Sequence, residues 1–353
     1  MFRSRRQRVS AIDVVVWFIG FAIAAAVLYG TFVTLSQAKY TLANWTDLAI
    51  RGLAQGGVYA LIAMGYTLVY GVLRMINFAH SEVFMSGPFT AVFLAMALDD
   101  AGIANSNPFL YLLLIGVLSM AVSTGIAILL ERIAYRPLRG APRLVPLITA
   151  IGASFFLQYT FRGFYGSGVQ AYPVPKLFQQ SVQIGNVKIY IAQIVVILGA
   201  FLLMLLLYAI VQYTKIGKAM RSVSEDKEAA ALMGIDVDRV IVFTFALGGA
   251  SAGLAGVLYA MIFPVVNFFM GFIPGLKAFT AAVLGGIGSV PGAFVGGILL
   301  GLLESIGPNL FLDGLGIPAP YQLKDAIAFA ILVLILIFRP TGILGEKLVQ
   351  AKA

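Results

Sequence analysis

Two uninterrupted apolar runs constrain this chain more than anything else in it. Residues 189–211 and 240–263 contain no Asp, Glu, Lys or Arg over 23 and 24 positions. About 20 such residues cross the hydrocarbon of a bilayer as a helix. Lipid offers the backbone no partner but itself, so runs of this kind must be helical. Between them lie residues 215–239, KIGKAMRSVSEDKEAAALMGIDVDR, a stretch dense in charge. This island cannot sit in hydrocarbon and projects into water. Its middle, 225–233, holds no Gly, Pro or β-branched residue, which predicts a short helix. Ser222 or Ser224 suits the cap, Glu225 and Asp226 suit the first turn, and Gly234 suits the stop.

Further runs at 14–35, 52–73, 83–98, 109–130 and 144–161, with a shorter one at 326–338, repeat the pattern. The composition agrees: 60% hydrophobic and 11% charged, against about 25% charged in a soluble domain. The fold class is all-α, a polytopic transmembrane helical bundle of about eight full spans plus a Gly-rich re-entrant or short-helix hairpin. Unbroken runs exclude a membrane β-barrel, whose strands alternate. The net charge of +9 comes from basic clusters between apolar runs, which are topology signals rather than a nucleic-acid surface. There are no cysteines and one histidine, His80, so disulfides, thiol catalysis and histidine metal clusters are excluded.

With the N-terminus in the cytoplasm, the segments on that side hold most of the 24 lysines and arginines, including Arg3, Arg5, Arg6, Arg8, Arg132, Arg136, Arg139 and Arg143. The tail after 338 also falls there. The first run, at 22 residues, is longer than the usual signal-peptide core and is expected to remain as a span. Gly52, Gly56 and Ala60 recur every four residues, so another helix can come close.

Two places break the pattern. RMINFAHSE, 74–82, is polar, and the 16 apolar residues after it reach only about 24 Å, so the break is expected to enter the membrane. Residues 277–305 form an apolar arm, a turn rich in glycine (Gly285, Gly286, Gly288), and a second apolar arm. A re-entrant hairpin with both ends outside and its tip at depth fits; two tilted short spans fit as well. The run at 326–338 must recruit residues back to about Tyr321 to cross, placing Lys324 and Asp325 inside a protein cavity.

The chemistry points to passage rather than catalysis. No phosphate-binding loop occurs: Gly217-Lys218 is followed by Ala219. Intramembrane polar groups mark pathways, and the candidates are Asn77, His80, Glu82, Gly285, Gly286, Gly288, Lys324 and Asp325. Glu304 reads more simply as a helix end near the outer surface. Broken helices present free N–H and C=O groups suited to the charged ends of an amino acid. An enzyme is not indicated, and no cofactor or metal is implied.

GLAQGGVYALIAMGYTLVYGVLRMINFAHSEVFMSG (52–87), ERIAYRPLR (131–139), LITAIGASFFLQ (147–158), the island, GLKAFTAAVLGGIGSVPGAFVGGILLG (275–301) and RPTGILG (339–345) together resemble the branched-chain amino acid ABC transporter permeases of the LivH type. The resemblance implies residues 44–346 as the permease domain, 1–43 as a basic N-terminus with an extra first span, and 347–353 as a tail. It implies a multi-pass protein of the bacterial inner membrane with both termini cytoplasmic. It implies partners: a second homologous permease, two ABC ATPase subunits, a periplasmic solute-binding protein and membrane lipid, with no nucleic acid. The island then resembles a coupling loop, with Arg221, Glu225, Asp226, Glu228, Ala229 and Gly234 facing the ATPase; Glu228-Ala229-Ala230 followed by Gly234 matches the family's EAA-x-x-x-G pattern. The Leu-Pro that often follows in that pattern is missing here. Branched-chain or related amino acids are the implied solute, with amides or urea as the alternative. A self-sufficient carrier coupled to an ion through Glu82 or Asp325 is the rival class.

Overall fold

The computed structural model describes residues 11–142 and 144–345. Arg3, Arg5, Arg6, Arg8, Arg143 and the tail 347–353 lie outside them. Among the described residues nine helices are long and apolar enough to cross a membrane, and a tenth apolar helix is shorter. They are α1 (Ala11–Ser36), α2 (Leu42–Leu73), α3 (His80–Asp100), α4 (Pro108–Leu130), α5 (Leu144–Tyr165) and α6 (Ile191–Tyr213). After the island helices α7 (Lys215–Glu225) and α8 (Lys227–Leu232) come α9 (Val237–Ile262), the short α10 (Phe272–Gly285), α11 (Val290–Gly307) and α12 (Lys324–Phe338).

The core is α2, whose residues from Gly56 to Val69 are all buried. Its Gly52-Gly56-Ala60 stripe lies against α11, as its spacing predicts. A Cβ on Gly56 would stand 2.8 Å from the Gly297 carbonyl oxygen, and one on Gly297 would stand 2.4 Å from the Ala60 backbone. Only small residues permit helices this close. α1 lies at the periphery, mostly exposed, touching Phe338 of α12 through Trp17.

Two helices begin inside the bundle. α2 stops at Arg74, whose φ of 57° caps it in the left-handed region. The chain then turns back, and α3 starts at His80, beside Gly65. Gly65 lies eight residues, about 12 Å, up α2 from its end. The polar break thus folds back into the bundle, and His80, Ser81 and Glu82 are all buried in protein. The second break is residues 263–271. A Cβ on Gly271 would lie 2.2 Å from the Ser81 carbonyl oxygen, so α10 starts against the start of α3. Its 14 residues reach about 21 Å, too short to cross alone.

The Gly-rich stretch forms the helical hairpin, but its turn is not the part at depth. Gly288 at the turn sits beside Gly71, near the end of α2, and the turn closes on the segment after α12. Ile343 N–H donates to the Leu284 carbonyl (2.9 Å) and Leu344 N–H to that of Gly285 (2.8 Å). The physical reason is backbone satisfaction: these turn carbonyls find partners at the bundle's edge, so the chain crosses back in full as α11.

The architecture repeats with inverted direction. α2, a break, α3, α4 and α5 are answered by α9, a break, α10, α11 and α12. α2 runs toward the island and α9 runs away from it: Arg74 donates to the Ser224 carbonyl (3.3 Å), while Asp236 caps the start of α9 just beyond the island. The packing swaps accordingly, α2 against α11 and α9 against α4. At the end opposite the island, β1 (Gln170–Ala171) pairs antiparallel with β4 (Val265–Val266), and β2 (Ser181–Ile184) with β3 (Val187–Tyr190). There Lys39 pairs with Asp313 (2.8 Å), which holds the Lys39 ammonium above its usual range.

Candidate functional site

Four groupings carry polar chemistry. The first is the island. It is two helices rather than the one expected over 225–233. Thr214 caps α7 by accepting from Gly217 N–H (3.1 Å). Asp226 caps α8 by accepting from Glu228 N–H (2.9 Å) and Ala229 N–H (3.0 Å). Ser222 and Ser224 instead donate to carbonyls of their own helix, Lys218 and Arg221. A carboxylate taking two N–H groups outcompetes a hydroxyl at this break, so Glu225 closes the first helix and opens nothing. Gly234 ends α8 as expected, with φ of 83°. Glu228 and Ala229 are exposed, and Leu232 and Met233 stand 89% and 83% exposed at the tip. Arg221 folds back onto Gln212 (2.9 Å) and the Val211 carbonyl, fixing α7 to the end of α6.

The second grouping links the island to the bundle. Arg136 and Arg139 both pair with Asp238 in the first turn of α9, and Arg139 also pairs with the buried Glu131. Glu131 opens a π-helical turn, Glu131–Tyr135, and the Tyr135 hydroxyl donates to Asn77 Oδ1 (2.8 Å). The break at 74–79 is therefore held at Arg74 and at Asn77 by groups tied to the island.

The third is the start of α3. Glu82 is wholly buried, and its Oε1 accepts from Gln158 Nε2 (2.8 Å), Ser154 Oγ (3.1 Å) and Ser81 Oγ (3.2 Å). Its other oxygen, Oε2, and His80 Nε2 have no partner among the described residues. The structure brings Asn77, His80 and Glu82 onto one break.

The fourth centres on the second turn of α10. Lys277, which the sequence reading did not single out, donates to Glu304 Oε1 and Asp325 Oδ1, both at 2.6 Å. Gln55 Nε2 donates to Glu304 Oε1 (3.1 Å) and to the Tyr59 hydroxyl (2.6 Å). Glu304, expected near the outer surface, is 1% exposed and part of this cluster. Asp325 reaches it from the rim, its side chain 44% exposed. Lys324 does not: its ammonium lies over the Tyr321 ring at 5.0 Å. The expected Lys324–Asp325 pair in one cavity is therefore split, because successive helical residues face different ways. Gly285, Gly286 and Gly288 lie at the hairpin turn, against the segment 342–345, away from these charges.

Above this cluster, at the end opposite the island, is a cavity of about 590 Å³. Arg51, Gln55, Gln193 and Tyr172 give it polar corners, and Phe178 and Met261 give apolar walls. Tyr172 is 3% exposed, and its hydroxyl has no partner among the described residues. Burial pushes its phenol well above the ordinary value, so it stays a donor.

Comparison with known proteins covers nearly the whole arrangement. The family model described as branched-chain amino acid transport system / permease component matches residues 48–336. The chain is 44% identical over 311 residues to the high-affinity branched-chain amino acid transport system permease protein BraD of Pseudomonas aeruginosa, covering 87% of this chain and 98% of that one. It is 43% identical over 304 residues to the permease protein LivH of Salmonella typhimurium and 42% identical over the same length to LivH of Escherichia coli, covering 85% of this chain and 95% of each relative. No solved structure matches.

Proposed function

The chain belongs to the branched-chain amino acid transport permease family, and from that premise we propose that it is the membrane-spanning subunit of an ATP-driven importer of branched-chain amino acids. ATP is hydrolysed on two separate ATPase subunits. A periplasmic binding protein delivers solute to the end carrying the 590 Å³ cavity. A second, related permease completes the passage. The protein sits in the bacterial inner membrane with the island and both termini cytoplasmic.

The observation that carries this reading is the island's tip. Leu232 and Met233 stand free on a short helix capped at both ends, in a segment too charged to lie in lipid. Large exposed apolar side chains in such a place mark a docking surface for another protein. Glu228, Ala229 and Gly234 lie beside them and Arg221, Glu225 and Asp226 frame them. Closure of the ATPase dimer pushes this tip. The push passes through Asp238, Arg139 and Glu131 to Tyr135 and Asn77, and through Ser224 to Arg74. Both routes end at the break from which α3 starts, so the half-helix carrying His80 and Glu82 moves with the island. Alternate exposure of that region to the two sides then moves the solute.

The test is reconstitution. Replacing Leu232 and Met233 with Asp is expected to abolish co-purification of the ATPase subunits and ATP-driven leucine uptake while the permease still inserts. Uptake by the permease alone, without ATPase or ATP, would overturn the reading in favour of a self-sufficient carrier.

A further inference from the structure

The cavity opposite the island has corners of defined chemistry. Arg51 and Gln55 are four residues apart on α2, so they share a face and stand about 6 Å apart. Arg51 gives its Nε to Asp47 (2.9 Å), and its terminal nitrogens are left to donate. Gln55 uses its Nε2 twice, toward Glu304 and Tyr59. Only the nitrogen of an amide can donate to a carboxylate, so the bond to Glu304 sets which way the amide faces. Its Oε1 remains an acceptor with no partner among the described residues. Behind it, Lys277 with Glu304 and Asp325 leaves one formal negative charge in excess, and Glu304 Oε2 is buried without a partner. Tyr172 lines the same cavity, and its hydroxyl is buried and unpartnered among the described residues.

We propose that this cavity is a binding site for a free α-amino acid within the permease itself, the first station after the binding protein. The solute's carboxylate is taken by Tyr172 and Arg51, its ammonium by Gln55 Oε1 backed by the Glu304 charge, and its aliphatic side chain by Phe178 and Met261. The separation of Arg51 from Gln55 suits a zwitterion whose two charged groups hang on one carbon. The inference rests on the permease reading and adds where the solute is held.

The chain has no native cysteine, so Met261→Cys gives a single reporter in the wall. In vesicles holding the permease with its related permease and ATPase subunits, both made free of cysteine, and supplied with the binding protein, the alkylation rate of that thiol is measured with leucine, with 4-methylpentanoate, which lacks the ammonium, and with 3-methylbutylamine, which lacks the carboxylate. Leucine is expected to slow alkylation and the two analogues to leave it unchanged. Tyr172→Phe and Gln55→Leu are each expected to raise the leucine concentration needed by about tenfold, the loss of one hydrogen bond to a charged group. Neither should alter the unliganded rate. If Gln55→Leu fails to accumulate, Tyr172→Phe, which removes one oxygen, decides. An unchanged rate with leucine, equal protection by either analogue, or full protection in the variants would overturn the site. ATP-driven leucine uptake in the same vesicles separates the two levels: its absence overturns the permease reading, and its presence without protection overturns the site alone.

Discussion

At the start of α3 the buried ionisable group is Glu82, held by three uncharged donors; in the second turn of α10 it is Lys277, held by two carboxylates. The two starts occupy matching places in the inverted repeat and touch through Ser81 and Gly275. The difference follows from where each group stands on its helix. Glu82 is the third residue of α3, in the first turn, where free N–H groups carry partial positive charge; Lys277 is the sixth residue of α10, past that turn. That field favours the Glu82 carboxylate, so neutral partners suffice. Lys277 stands beyond the reach of such a field and is buried, so full counter-charges are required, supplied by α11 and α12. Reusing one architecture upside down does not reuse its charges, because the buried ion of α10 stands about one turn further along its helix than Glu82 does along α3.

This contrast can be broken most severely at Lys277. Lys277→Met leaves Glu304 buried without its ion partner and should cost about 3–5 kcal/mol, read as a fall in thermal unfolding temperature in detergent. Gly275→Ala comes next. Its Cβ would lie 2.4 Å from Ser81 Cβ, forcing the two starts apart at about 1–3 kcal/mol, with a matching loss of coupled uptake. Glu82→Gln should cost only about 1 kcal/mol, since an amide can bond to the same neutral partners; a loss as large as that of Lys277→Met would refute the dipole argument. Smallest of all, Lys277→Met combined with Glu304→Gln should unfold within about 1 kcal/mol of the parent, because the charge that remains, on Asp325, is 44% exposed and can be hydrated.

Much of this was legible along the chain, and the rest had a common reason for hiding. Spans follow from apolar run length, a one-dimensional property, and the break before α3 showed itself by leaving too few residues to cross. Lys277 was invisible as a buried ion because its partners stand 27 and 48 positions away. In hydropathy it marks the edge of an arm. Glu304 does lie near the end of α11, but its burial stayed hidden for the same cause: a lone carboxylate in an apolar segment reads as a boundary until its cation is found. The two-helix island turned on a local competition at Asp226 that spacing could not settle. The cavity opposite the island was beyond reach, since its walls come from α2, α6, α9 and the loop after α5.

The hairpin turn between α10 and α11 has a consequence for how the protein is made. Its Leu284 and Gly285 carbonyls wait for Ile343 and Leu344, which leave the ribosome more than fifty residues later. A nascent chain therefore holds an unfinished bend at the membrane's edge through most of the synthesis of its last helices. Quality-control proteases would find that bend open in any product truncated before residue 343 and closed in every complete one.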